Sequence, residues 1–145
     1  MRYELIEAAL NEYGITEKPG ATENSPRILQ YFAETGHSWV KDDETSWCSA
    51  YVNFIAKTTK HEFSGALDAR SWLTVGLKTA YPEMGDIVIF WREDPLSWKG
   101  HVGFFIKRDK SGIWLLGGNQ SNQVCIMPYD SGRVLDYRIL QKIWQ

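Results

Sequence analysis

Residues 85–140 read GDIVIFWREDPLSWKGHVGFFIKRDKSGIWLLGGNQSNQVCIMPYDSGRVLDYRIL, and this half of the chain sets the fold class. It contains five short runs rich in β-branched and aromatic residues, which Gly, Asp, Asn and Ser separate. The runs are DIVIFW (86–91), HVGFFIK (101–107), IWLLGG (113–118), QVCIMPY (123–129) and RVLDYRIL (133–140). Because no helical pattern lies between them, they predict an antiparallel sheet of about five strands.

Helical patterns precede the strands. Apolar residues recur there at a spacing of three and four, and Ser25 followed by Pro26 is typical of an N-cap and a first helical turn. The predicted helices cover residues 3–13, 25–36 and 48–57, with a shorter one at 66–73. Helices first and strands second, without βαβ alternation, predict an α+β fold in which N-terminal helices pack on one face of a C-terminal sheet. We expect residues 1–145 to form a single domain.

The composition excludes several kinds of partner. The net charge is −2, and the 16 basic and 18 acidic residues are interspersed, so the chain shows no basic patch for nucleic acid or an anionic membrane. No run of about 18 apolar residues predicts a membrane span. The two cysteines are too few for a disulfide framework and lack metal-ligand spacing, although a single Cys48–Cys125 bridge remains an alternative.

Cys48 is the candidate nucleophile. It stands at the predicted start of an apolar helix, where free N–H groups and the helix dipole favour negative charge. A thiolate is the reactive form of cysteine, and such a position lowers its pKa. The alternative is that Cys48 is a small buried apolar residue, which is the commoner role of a cysteine.

His101 and Asn119 complete a candidate catalytic set. His101 begins a predicted strand directly after Gly100, so its ring can lie at the end of the sheet and serve as a base. Asn119 ends a neighbouring strand, and its side-chain carbonyl can accept the imidazole N–H. Taken singly, such a histidine is usually solvated and a Gly-Asn pair is usually a turn. The order Cys, His, Asn predicts a nucleophile, a base and an orienting group.

Several motifs together resemble the CHAP and NlpC-type cysteine peptidases and amidases. They are SWCSAYVNF (46–54), ARSW (69–72), GDIVIFW (85–91), GHVGFFI (100–106) and LLGGNQSNQVCIMPY (115–129). The resemblance is strongest to a phage and bacterial subgroup, and it covers residues 25–129. Each motif is weak by itself, but their combination and spacing are fairly specific.

The resemblance implies a papain-like fold and cleavage of an amide bond in peptidoglycan through a thioester. The bond is either in the stem or cross-bridge peptide, or it is the N-acetylmuramoyl-L-alanine amide. Many CHAP domains orient the histidine with a glutamate two positions ahead of an asparagine. Gly117 stands at that place here, so the orienting role falls to Asn119. Ser46 and Gln120 are interpreted as a helix cap and a loop residue.

A substrate groove is predicted from the many aromatic residues, which make up 14% of the chain. Three tryptophans, Trp47, Trp72 and Trp91, are candidates to contact sugar rings and peptide stems, although core packing is at least as good an interpretation of each. Arg70 is a candidate partner for a stem-peptide carboxylate, and the acidic residues 42–44 for amino groups. We expect no metal and no cofactor, since the nucleophile is the thiolate itself and residues 42–44 lack a calcium-loop pattern.

Two other functions remain open at this stage: a wall-binding module without turnover, and a cysteine acyltransferase that acts on a protein. The leading hypothesis predicts a monomer that is made in the cytoplasm without a signal peptide. It would reach the cell wall by holin release, phage delivery or secretion, with an endolysin favoured. A secreted effector would also have an immunity protein as its partner.

Overall fold

A computed structural model describes residues 2–18, 24–41, 43 and 46–143. Three α-helices come first: α1 (Tyr3–Leu10), α2 (Pro26–Ala33) and α3 (Cys48–Thr58). The Ser25 hydroxyl accepts a hydrogen bond from the Ile28 N–H at 3.4 Å, which confirms the predicted cap of α2. A 3-10 helix, Ala69–Thr74, takes the place of the short helix predicted at 66–73.

The rest of the chain forms one six-stranded antiparallel sheet with the strand order β1-β6-β2-β3-β4-β5. The strands are β1 (Leu77–Lys78), β2 (Ile87–Trp91), β3 (Gly100–Asp109), β4 (Gly112–Gln120), β5 (Gln123–Tyr129) and β6 (Val134–Ile139). The α+β class and the antiparallel sheet are therefore confirmed. The predicted number of strands was one too low, because β1 has only two residues and carries no pattern of alternation.

The core lies between the helices and one face of the sheet. Strand β2 is buried on both faces, so its residues alternate between two apolar clusters. Ile87 and Ile89 pack in the large cluster with the helices, whereas Val88 and Phe90 belong to a small cluster on the opposite face. Within the part of the chain that is described, no helix is long and apolar enough to cross a bilayer.

Candidate active site

Cys48 is the first residue of α3 and is only 3% exposed. It lines a cavity of about 270 Å³ between the 3-10 helix and the β2–β3 connection. Burial raises the pKa of the thiol, and hydrogen bonds from the Val102 and Ser49 N–H groups act in the opposite direction. The sequence predicted a lowered pKa, so the structure corrects that expectation: removal from water outweighs the donors at the helix start.

The main chain of Val102, in the strand that carries His101, influences the Cys48 thiol. Pairing between β3 and β4 begins only at Phe104, so the Val102 N–H lies outside that ladder. The Val102 main chain acts to lower the pKa of the Cys48 thiol, and Val102 is one residue along the chain from His101. The gap between β3 and β4 therefore lets a residue of α3 reach the main chain next to His101.

The His101 ring is held by Gln120. The His101 Nε2 and Gln120 Oε1 atoms lie 2.9 Å apart. The Gln120 amide nitrogen donates to the Cys125 carbonyl at 2.8 Å and to the Leu115 carbonyl at 3.2 Å. Because these carbonyls can only accept, the amide oxygen must face the ring, and His101 Nε2 must carry the proton. In the neutral ring, His101 Nδ1 is then the atom that can take a proton.

Gly117 makes room for this arrangement. A Cβ atom at position 117 would lie 2.3 Å from Gln120 Oε1 and 3.6 Å from His101 Nε2. The Gln120 amide oxygen thus occupies the space that a side chain at position 117 would fill. Gln120 lies three residues beyond Gly117 and folds back from the end of β4.

Two aromatic rings support the imidazole from the side. His101 stacks on Tyr129 with ring centroids 4.9 Å apart, and Tyr129 stacks in turn on Phe90 at 5.2 Å. His101 is 5% exposed, and its burial lowers the pKa to about 4, while the bond to Gln120 opposes this shift and nearby Arg92 adds to it. At neutral pH the imidazole and the thiol are therefore both neutral, and a neutral imidazole can act as a general base.

The pKa of His101 predicts a loss of stability in acid. The folded-state value of about 4 lies below the ordinary value of 6.5, so the unfolded chain binds this proton first as the pH falls. The contribution of this pKa shift to the free energy of unfolding is complete above pH 6.5. It decreases between pH 6.5 and 4, by about 3 kcal/mol in all. Urea titrations across this pH range give the free energy of unfolding of wild type and of His101→Gln, and this free energy should depend more strongly on pH in wild type. The same pH dependence in both proteins would contradict a lowered pKa of His101.

The structure corrects the prediction for Asn119. Its side-chain nitrogen donates to the Ser46 hydroxyl at 3.5 Å, and its backbone has a φ of 58°, so it lies at an irregular point of β4. The residue whose side chain contacts His101 is Gln120, which the sequence analysis interpreted as a loop residue. A β-bulge between Gly117 and Gln120 changes which side chain faces the ring, and no sequence pattern predicts it.

Each of the three predicted substrate-binding side chains has hydrogen-bond partners within the protein. Trp47 and Trp72 are 0% exposed, and their indole N–H groups donate to Glu17 Oε1 and Ser49 Oγ, so both belong to the core. The Arg70 guanidinium donates to the backbone carbonyls of residues 94, 95 and 99 at 2.8–3.1 Å. Arg70 thus holds the β2–β3 connection in place with three of its five N–H groups.

Several other side chains line the cleft, and Trp91 among them is one of the predicted candidates. Arg92 borders the Cys48 cavity and also a second cavity, of about 190 Å³, that contains His101. Trp98, 72% exposed, borders the first cavity, and Trp91 borders the second. The abundance of aromatic residues indicated a groove, but the sequence carried no signal for which rings are exposed.

The remaining predictions for this region concern metals and cysteines. Among residues 2–18, 24–41, 43 and 46–143, no group of three His, Cys, Asp or Glu side chains could hold a metal ion. Asp43 is buried, and its Oδ2 accepts from the Lys18 and Ser25 N–H groups, while residues 42 and 44 lie outside the described residues. Cys48 and Cys125 are both free thiols, so the alternative of a bridge between them is not realised.

Comparison of the chain with known protein families and with curated proteins finds no match.

Proposed function

We propose that this protein is a papain-like cysteine hydrolase that cleaves an amide bond of bacterial peptidoglycan. The observation that carries the chemistry is the Gln120 amide, whose fixed orientation keeps the proton on His101 Nε2 and leaves Nδ1 to accept one. The position of Cys48 beside Val102 supplies the nucleophile at the same place. The choice of substrate is supported by the motifs shared with the CHAP and NlpC-type enzymes.

The reaction proceeds in two halves. Cys48 Sγ attacks the amide carbon as its proton passes to His101 Nδ1, and the developing oxyanion lies at the helix start, where the Cys48 N–H can donate. His101 returns the proton to the leaving nitrogen, the carbon–nitrogen bond breaks, and a thioester remains. Water, deprotonated by His101, then hydrolyses the thioester and restores the thiol. The products are one carboxylic acid and one amine, which together contain one added water.

The test is digestion of purified sacculi followed by mass spectrometry of the soluble products. We expect one new amino group and one new carboxylic acid for each bond cleaved, with a mass balance of one added water per bond. Fragments with the mass of an acceptor added would indicate an acyltransferase. Tight binding to sacculi without any product from the wild-type protein would indicate a wall-binding module.

The activity should persist to unusually low pH for a histidine-dependent enzyme. His101 must be unprotonated to accept the thiol proton, and burial lowers its pKa to about 4. We therefore expect kcat/KM to stay level from neutral pH down to about 5 and to fall as the pH passes through about 4. The measurement is the rate on soluble muropeptides between pH 3.5 and 8, in the range where circular dichroism shows a folded protein. An acid limb near pH 6.5 would contradict the assignment.

A further inference from the structure

Two arginines border the cavity that contains His101. The Arg133 guanidinium lies over the Trp91 ring, 4.7 Å from its centroid, and Arg92 lines the same cavity from the end of β2. Arg92 also lines the Cys48 cavity, and its charge influences the pKa of both Cys48 and His101. The positive charge is therefore placed at the reacting groups.

These charges are not neutralised within the described part of the chain. Neither Arg92 nor Arg133 makes a side-chain hydrogen bond or ion pair with a residue in it. The one carboxylate that lines this cavity is that of Asp130, and its Oδ1 accepts from the Gly132 N–H at 2.8 Å. In a protein with a net charge of −2, this cavity has a local excess of positive charge.

In the proposed mechanism, the leaving group binds in the cavity that contains His101. His101 delivers its proton to the departing nitrogen, so the fragment attached to that nitrogen must lie on the His101 side of the scissile bond. The acyl fragment then extends into the cavity beside Cys48. With a volume of about 190 Å³, the His101 cavity holds a fragment about the size of one amino acid, so any charge it binds lies close to the nitrogen.

We propose that Arg92 and Arg133 bind a free carboxylate on the carbon next to the leaving nitrogen. This inference rests on the proposed function and narrows its substrate class to amides of amino acids whose α-carboxyl group is free. In peptidoglycan, the cross-link to the D-centre of diaminopimelate and the L-alanyl–D-glutamate bond meet this condition. The N-acetylmuramoyl-L-alanine amide does not, because the carboxyl group of that alanine is in the next peptide bond.

The first test uses the wild-type protein on diaminopimelate-containing sacculi. Mass spectrometry should show that each residue with a new amino group also carries a free α-carboxylate. A soluble substrate that contains the cleaved bond is then synthesised in two forms, with a carboxylate or a carboxamide at that carbon. We expect kcat/KM to be about 10- to 100-fold higher for the carboxylate form, which is the effect of a charge-assisted hydrogen bond. Equal rates, or a new amino group on L-alanine, would overturn the inference while the hydrolase proposal stands. Absence of any cleavage would overturn both.

Substitutions of the two arginines test whether they cause the preference for the carboxylate substrate. Arg133→Gln and Arg92→Gln should each reduce the preference for the carboxylate substrate at least about fivefold, mainly through KM, and Arg133→Lys should restore part of it. Arg108→Gln is the matched control, since Arg108 is an exposed arginine toward the other end of β3. An unchanged carboxylate preference in both folded Arg→Gln variants would show that these arginines do not bind the carboxylate.

Discussion

Replacing Cys48 with alanine is expected to reduce hydrolysis of sacculi by about 10⁴-fold or more, because loss of the nucleophile removes the covalent route entirely. The variant should fold, since the change deletes one sulfur atom at the end of a helix whose other core residues remain. The rate of release of new amino groups, measured at matched protein concentration, gives the comparison.

The other buried cysteine is the matched control. Cys125 lies in β5 and its thiol donates to the Gln120 main-chain carbonyl at 3.4 Å, a bond that serine can also make. Cys125→Ser should therefore keep activity within about tenfold of wild type. Full activity in Cys48→Ala would exclude the cysteine mechanism.

Replacing Gln120 with alanine should lower kcat by about 100-fold or more, because His101 then loses the acceptor that sets its tautomer and orientation. The matched variant is Asn119→Gly, which removes the neighbouring side chain and tolerates the positive φ at that position. We expect Asn119→Gly to lose less than about fivefold. The comparison decides between the residue that the sequence indicated and the residue that contacts the ring.

A second substitution tests the same contact from the opposite side. In Gly117→Ala, the new Cβ would approach within 2.3 Å of Gln120 Oε1, so the amide must move away from His101. The loss of kcat should resemble that of Gln120→Ala, although residue 120 is unchanged. Nitrogen chemical shifts of the His101 ring would show the Nε2–H tautomer in wild type and a mixture of tautomers in both variants. A larger loss in Asn119→Gly than in Gln120→Ala would favour the original prediction.

Local patterns were sufficient for most of the secondary structure. Apolar spacing located the three α-helices, and Ser25 with Pro26 marked the start of α2 because a cap and a fixed φ act within one turn. The five runs of residues 86–140 became β2 to β6, since alternation along a strand is also a local property. The two-residue strand β1 was missed because it is defined only by its pairing with β6.

The sequence by itself determined the α+β class, the place of Cys48 at a helix start and the place of His101 near the start of a strand. Only the tertiary structure decided which side chain meets the imidazole and which aromatic residues are exposed. Gln120 reaches His101 because a bulge and the absence of a side chain at Gly117 turn it inward. Trp47 is buried beside Tyr31 of α2 and Gly118 of β4, and Trp72 is buried beside Ser49 of α3. Contacts of this kind join residues far apart in the chain, and periodicity describes only neighbours.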